Sequence, residues 1–577
     1  EGVFELKAIN PGEYTIKLSS MGFADKKLKG IRVKPNKTVY ISEHDAAMVS
    51  EANILIGVDI DAELEVTREI IDMDGVTTDG YDEKEFMAVP GRNLAAKLKG
   101  LPGIIGNENG SGDIFVKGQK PDAGYYLVNG VKMKSISGIP MTSVSGLEAY
   151  TSGLPASIGD ATGAVISITT KSATEEFHGG IEHVTSGFKL GDRYYGADAF
   201  GYNLTEFSLS GPLMVKTIND STKETQLGFF VAGNYSHQLD PRPSAVGAWK
   251  IKDEALADLQ LNPLRTGFSE NSVIPNSDYL RLDDFERVDV RPNTSRTAIN
   301  LTGNIDVNTT KNTTLTFGGA VNSRSGNRYD YDHSLLDFNN YPMESTLDWQ
   351  LYGRFTQRFQ NVDEKGVPKG LIANASYTIQ ADYSRSQFKR ENEAFKDDFF
   401  KYGYLGRFTT YQTVDFAIAQ DSTTGIYGNI QQTFRDTLIT FEPGDANPEL
   451  ARFTQRYYEL NGWEGFNGEG QAMFDPDRID ALANYNNIQS GGGLINGDNL
   501  DSRSRSVYGM WVYNNDLANA QGGMTDNYSE RLSEQLRLTG QGTADIGNHS
   551  IVLGFEYEQR VERGYSLNPR ALWTIAR

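Results

Sequence analysis

Apolar and polar residues alternate with a period of two along much of the chain. Ile299, Leu301, Gly303, Ile305 and Val307 fall on one face of such a segment, and Asn300, Thr302, Asn304 and Asp306 on the other. After a polar turn at 308–312 the pattern resumes, with Leu315, Phe317, Gly319 and Val321 opposing Thr314, Thr316 and Gly318. Side chains of a strand point alternately to its two faces, so this pattern predicts a β-hairpin. Each arm is close to the roughly 9–11 residues with which a tilted strand crosses a bilayer. Ala373, Ala375, Tyr377, Ile379, Ala381 and Tyr383 likewise alternate with Asn374, Ser376, Thr378, Gln380, Asp382 and Ser384. Further strands are predicted within 207–209, 227–237 and 349–359, and in the pair 532–546 and 550–561, which meets at Gly547-Asn548.

A soluble sandwich also alternates, with one face wet. Three details favour a membrane barrel. The polar faces carry Asn, Thr, Ser and Gln with few Lys, as a wet lumen prefers; aromatics such as Trp349 and Phe359 sit near strand ends; and a tight turn at 308–312 contrasts with long connections around 240–295 and 412–528. The apolar faces are free of charge over their centres, which lipid contact requires.

Upstream of this array the pattern changes twice. In residues 1–45, Phe4 and Leu6 alternate, then Tyr14, Ile16 and Leu18 after a Pro11-Gly12 turn, then Ile31, Val33, Val39 and Ile41, which predicts part of a small β-sandwich. Residues 46–80 have mixed charge and no clear period and read as a linker; Leu64, Glu65, Val66, Thr67, Arg68, Glu69 and Ile70 form an extended segment that could pair with a partner's strand. Residues 81–175 predict a compact α+β unit: a short helix over 92–98 stopped by Gly100 and Pro102, a strand over 114–118, and a hairpin turning at Asn129-Gly130. Residues 153–171 close that unit, a glycine-punctuated loop running into the β-branched strand 165–170. Gly159 and Gly163 there permit positive φ or close backbone approach.

Composition narrows the classes. The 577 residues carry a formal charge of −21, which argues against nucleic acid as a partner, since phosphate recognition needs a basic surface. Cys is absent, which excludes disulfides, thiolate metal sites and cysteine nucleophiles. No apolar run approaches the roughly 18 residues of a membrane-spanning helix. Gly is 60, Tyr 29 and Phe 28, a balance that half-apolar barrel strands produce. No enzyme signature, cofactor motif or metal site is found: there is no His-Glu-x-x-His, no Gly-x-Ser-x-Gly and no phosphate loop. Asp330, Asp332 and His333 form an acidic loop that is either a Ca²⁺ ligand set or plain solvated surface. His178 and His183 face opposite sides of a predicted strand. The chain begins at Glu1 with no leader visible and ends at Arg577 without a terminal aromatic, so an internal fragment of a longer protein is expected.

The order of pieces in 81–175 resembles the plug domain of TonB-dependent outer-membrane transporters. The residues that carry it are Leu101-Pro102-Gly103 after the helix, the 114–118 strand, Tyr126-Leu127-Val128-Asn129-Gly130-Val131, Leu147-Glu148-Ala149, and Gly159-Asp160-Ala161-Thr162-Gly163 running into 164–170. The version between 153 and 170 resembles the Oar-like branch found in Bacteroidota. Gly2-x-Phe4, Pro11-Gly12-x-Tyr14 and Gly22-Phe23 resemble the carboxypeptidase-regulatory-like domain that precedes such plugs. This sequence departs from the plug pattern at Lys117-Gly118, where the family has Arg-Gly, and matches the TonB box only loosely at 64–70.

The resemblance implies a mostly β chain: a small N-terminal β-sandwich (1–45), a linker with the TonB-contacting segment (46–80), a plug (81–175) in the lumen, and the first part of a transmembrane antiparallel barrel (176–577), of about 22 strands when complete. It implies a bacterial outer-membrane location and active import gated by ligand, powered by TonB–ExbB–ExbD. Lipid surrounds the barrel, and a surface lipoprotein could cap it. Gly159, Asp160 and Gly163 are expected to be plug architecture. Lys117, Glu148 and Lys171 are the plug charges expected to lock it in the lumen or simply to fix it there. A different class of function, a transporter-like barrel serving as a non-transporting subunit of a larger outer-membrane complex, is the alternative.

Overall fold

The computed structural model describes most of residues 77–474 and 528–569; before them it describes the strands 12–18, 26–33 and 60–63 with a few single positions, and its larger internal gaps are 107–113, 119–123, 134–137, 268–272, 361–371 and 467–471. The chain is mostly β. Nine strands form one antiparallel sheet, each hydrogen-bonded to its neighbour in chain order: His178–Thr185, Asn203–Asn219, Thr222–Gln238, Arg296–Thr310, Thr313–Asn327, Met343–Gln360, Ile372–Glu391, Tyr528–Ile546 and His549–Leu567. Most run 15–20 residues, longer than the alternation alone marked out, because pairing continues past the apolar bands into polar rims. Among the described residues this sheet ends at His178–Thr185 on one side and His549–Leu567 on the other.

The alternation sets the two faces as expected. Along 296–310, Ile299, Leu301 and Ile305 are exposed while Asn300, Thr302, Asn304 and Asp306 are buried. The same inversion holds for exposed Leu351 beside buried Gln350, exposed Ile379 beside buried Gln380 and Asp382, and exposed Leu536 and Leu538 on either side of buried Arg537. The polar face is covered; the apolar face is bare.

What covers it is an α+β unit with its own core. Val165–Thr170 pairs antiparallel with Val144–Ser152 and parallel with Tyr125–Val128, in the five-strand order Thr77–Asp82, Val144–Ser152, Val165–Thr170, Tyr125–Val128, Val131–Met133. Helices Glu83–Ala88 and Leu94–Leu98 contribute Phe86, Leu94 and Leu98 to a cluster completed by Val128, Val144, Leu147, Ile166 and Ile168. The first helix starts on a capping box: the Asp82 carboxylate accepts from Glu85 N at 2.8 Å, and Glu85 accepts from Asp82 N at 3.1 Å. The hairpin over Asn129-Gly130 forms as predicted, with φ of +51° and +80° at its two central residues.

Two expectations change. The segment 412–528, expected as a long connection, contains paired structure: Gly406–Gln420 and Tyr427–Pro443 form a hairpin that belongs to a separate four-stranded sheet. The linker expected over 46–80 contains the strand Ile60–Glu63, which pairs parallel with Lys26–Val33 in a three-stranded sheet. Leu64 to Ile70 lie outside the described residues.

The connections alternate in length. Strand-to-strand turns at 219–222, 310–313 and 546–549 are tight, whereas 239–295, 328–342 and 392–527 are long. The long ones fold together at one rim: Ile251, Leu259 and Leu264 pack with Phe338, Tyr341 and Phe453. Arg291 reaches the buried Asp240 through Nη2 at 2.5 Å and Nε at 2.9 Å, and its guanidinium lies 4.2 Å over the Tyr329 ring.

Candidate functional site: the plug against the barrel wall

The plug meets the wall through the tip of its Asn-Gly hairpin. A type I′ turn points its carbonyls outward, and two wall arginines take them. Arg354 Nη2 donates to Asn129 O while its Nε donates to Gln380 Oε1 at 2.9 Å. Arg537 Nη1 donates to Gly130 O at 2.6 Å. Gln535 Nε2 donates to Lys132 O at 3.4 Å, with its own Oε1 held by Arg560 at 2.8 Å and 3.1 Å. The turn needs Gly at its second position for a second reason: a Cβ on Gly130 would lie 3.3 Å from Arg354 Nη2 and from Gln380 Oε1.

Lys132 is the charge that crosses the interface. Its side chain is 5% exposed; Nζ sits 2.8 Å from Asp160 Oδ2 in the plug and 3.0 Å from Glu558 Oε2 in the wall, and 4.5 Å over the Tyr125 ring. Burial alone would lower its pKa, but the hydrogen bonds to Asp160 and Glu558 outweigh that and raise it. The same hydrogen bond holds the Asp160 carboxyl below the usual carboxylate range. Removing the wall acid would leave the buried cation without its partner across the interface, which is costly.

A second set of bonds fixes the strand that leads into the wall. Asn304 Nδ2 donates to Lys171 O at 2.8 Å, and Asp306 accepts from Ala173 N at 3.2 Å and from Thr316 Oγ1 at 2.7 Å. Thr174 and Ser210 hydroxyls meet at 2.8 Å. A third set holds 138–141: Glu206 Oε1 accepts from Met141 N at 3.4 Å, and Asn322, with its amide nitrogen toward the plug, donates to Gly138 O at 2.9 Å. Gly138 has φ +104°, and a Cβ there would fall 2.3 Å from Asn300 Oδ1. Between the first two sets a cavity of about 20 Å³, lined by Asn129, Thr170, Asn304, Asp306 and Arg354 among others, has room for one water rather than a ligand.

The sequence-selected charges lie elsewhere in the plug. Lys171 Nζ pairs with Glu83 Oε1 at 2.8 Å, a bond inside the plug, and among the described residues only its backbone carbonyl reaches the wall. Glu148 is buried and accepts from Tyr150 OH at 3.0 Å in the plug sheet. Lys117 occupies a turn at φ +48°, its N donating to Gly103 O at 2.7 Å. Among the described residues of the closing loop the left-handed one is Asp160 (φ +57°), not Gly159 or Gly163. Asp visits that region because its short carboxylate can be satisfied locally, here by Lys132. Gly159 O accepts from Tyr125 OH at 2.8 Å, and a Cβ on Gly159 would meet open space; Gly163 is buried. Sequence reasoning missed Lys132, Arg354 and Arg537. The signal it had was the Asn-Gly turn itself.

Among the described residues no helix is long and apolar enough to cross a membrane, and no group of acids and histidines stands in metal-binding arrangement. His333 Nδ1 lies 3.1 Å from Asp330 Oδ1, and Asp332 is outside the described residues.

The fold and this interface define a mostly β protein with a plug bolted to the polar side of an antiparallel wall. No protein-family model matches the chain, and no curated protein does. Among solved structures, it is similar to the siderophore receptor PirA from Acinetobacter baumannii, at 12% identity and TM-score 0.34, over 84% of this chain and 57% of that one. It is similar to the ferric citrate transporter FecA in its unliganded form, at 11% identity and TM-score 0.36, over 85% and 59%. The ferric-catecholate import receptor Fiu from E. coli K12 gives 10% identity and TM-score 0.34, over 85% and 60%. The chain thus spans less than two thirds of the length of each.

Proposed function

We propose that this chain forms the plug and part of the barrel wall of an outer-membrane importer of the TonB-dependent kind. The observation that carries the reading is the inverted sheet: its buried face is Asn, Thr, Gln, Asp and Arg, and its exposed face is Ile, Leu, Phe and Tyr. Water on both sides would not select that arrangement, while lipid outside and a polar lumen inside do. The plug is held by discrete polar bonds, which can be broken one group at a time, rather than by a shared apolar core. In this reading a ligand settles on the folded long connections, the strand bundle stays rigid, and force from TonB–ExbB–ExbD on Leu64 to Ile70 parts the Asn129–Lys132 tip from the wall. Glycans, peptides, siderophores and cobalamin are all compatible with a polar lumen as cargo.

The test is deletion of residues 60–72 in the full-length protein, with outer-membrane insertion followed by fractionation and TonB engagement followed by retention on the purified periplasmic domain of TonB. Insertion should persist and retention should be lost. Retention undiminished by the deletion would remove the TonB-box assignment, and absence of retention in the parent protein would favour the non-transporting scaffold.

A further inference from the structure

On the polar face of the wall, arginines gather between the plug and the rim that carries the long connections. Asn300 and Asn322, which meet the plug at Gly138, are in register. Toward the rim the next pair on the same face is Ala298 with Arg324, and the one after it Arg296 with Gly326. At about 3.3 Å per residue, Arg324 springs from the wall about 7 Å beyond the plug contact and Arg296 about 13 Å beyond it. The Arg296 stem lies across Gly326, where a Cβ would fall 2.7 Å from its Cγ. The connection 239–295 adds Arg242, whose N donates to Asp240 Oδ1 at 2.9 Å, and Arg291. Arg242, Arg291 and Arg324 all lie near enough to Arg296 to act on it electrostatically.

The acids within reach do not neutralise this group. Asp240 is taken by Arg291. Glu344 acts on Arg296, but its Oε1 is held by Arg390 at 2.6 Å and 3.0 Å. Asp348 acts on Arg324 across the face without pairing with it. Among the described residues the guanidinium groups of Arg242, Arg296 and Arg324 form no ion pair and no hydrogen bond. Like charges held together cost free energy while the recess is empty. The chain as a whole carries a formal charge of −21, so composition does not account for uncompensated cations gathered in one place. A recess lined by one sign of charge concentrates ligands of the other sign. Guanidinium forks match carboxylate and phosphate oxygens two at a time. One such group cannot fill all the forks, so the fit is to a ligand that bears several. A neutral glycan or a cationic peptide leaves them unfilled.

We propose that Arg242, Arg296 and Arg324 form a cargo site and that the cargo is an anion bearing several carboxylate or phosphate groups. The inference rests on the proposed import function and selects among the cargo classes compatible with it. The full-length protein is placed in phosphatidylcholine vesicles, where flotation with the vesicles reports insertion. It is then titrated calorimetrically with trigalacturonate, with inositol hexakisphosphate and, as the neutral counterpart, with maltotriose. At least one acidic probe should bind, more weakly as salt is raised, and maltotriose should not; the acidic probe that binds tells carboxylate from phosphate. R296Q/R324Q should weaken that binding about tenfold or more. R385Q/R563Q removes the same charge from the opposite face of the wall and should leave it unchanged. Should the double variant fail to float, R324Q alone, at an exposed position, carries the comparison. Binding of neither acidic probe, equal binding of maltotriose, an unchanged affinity in the arginine variants, or equal weakening by R385Q/R563Q overturns the proposal, while retention of the parent protein on TonB keeps the import reading. Failure of the parent protein to float removes both.

Discussion

At the scale of single residues, the interface turns on backbone carbonyls as much as on side-chain charge. Asn129-Gly130 was legible because only residues tolerant of positive φ close a two-residue hairpin. Lys132 was not, since Val131-Lys132-Met133 reads as an ordinary strand end, and its wall partner Glu558 is 426 positions away. No local pattern encodes such a pair. Gly159 and Gly163 drew attention for the conformational freedom that Asp160 in fact uses. Replacing Lys132 by Met keeps the stem and removes the cation, which leaves Glu558 facing the plug without its cross-interface partner. The expected cost is about 1–3 kcal/mol of local stability. Amide hydrogen exchange over 125–133 should accelerate correspondingly, while exchange in 296–327 stays unchanged. Unaltered protection of the hairpin would show that the two arginines suffice to hold it.

At the scale of elements, strands were more legible than the connections between them. Period-two alternation reports burial on one face whether or not the partner is known, so most wall strands were found with short margins, while Asn203–Asn219 was marked only at 207–209. The long connections lacked a period because their core is shared. Ile251, Leu259 and Leu264 find Phe338, Tyr341 and Phe453 only after folding brings three segments together. This rim also holds two carboxyls with opposite behaviour. Asp337 is buried, and desolvation pushes its pKa up to about 7, with His333 and the Asn340 hydrogen bond working the other way and Glu449 and Asp330 adding to the rise. For Asp240, burial alone would raise the pKa, but bonds from Arg291 and from Arg242 N outweigh it and hold the carboxyl below its usual range. The signs differ accordingly. An acid with a raised folded pKa binds more protons folded than unfolded, so its contribution falls as pH rises from the ordinary carboxylate range to about 7 and is flat above. Asp240 contributes stability above the ordinary carboxylate range and loses it as pH drops toward its own lowered value. Protection of 251–264 and 336–341 from hydrogen exchange should therefore be higher at pH 5.5 than at pH 8. D337N should abolish that difference without touching the acid-side loss. A D337N protein with the parent's pH profile would assign the effect to another group.

At the scale of the whole molecule, the argument rests on which face of the sheet is dry. A water-soluble protein that exposed Leu351, Ile379, Leu536 and Phe555 while burying Asn300, Asn304, Gln380 and Arg537 would be built inside out. Alternation alone is the same in a sandwich and in a barrel, but the charge-free apolar faces and the polar ones, rich in Asn, Thr, Ser and Gln with few Lys, already assigned lipid outside and a wet lumen inside. The plug agrees with that assignment: its bonds to Asn304, Arg354 and Arg537 put the polar face inward. A single substitution separates the two assignments by magnitude. Leu351 is 60% exposed on the bare face, in register with Gly319 and Tyr383 on its two neighbours. If water bathes it, L351R costs no more than about 0.5 kcal/mol. If lipid does, a guanidinium near the midplane costs roughly 2–4 kcal/mol. We expect the larger value, read as a lowered urea midpoint in phosphatidylcholine vesicles. G326R, close to the long-connection end of the strand Thr313–Asn327, serves as the comparison: it faces the polar side, so a crowding penalty without depth dependence is expected there. A difference between L351R and the parent within 0.5 kcal/mol would place that face in water and return the chain to the soluble β class.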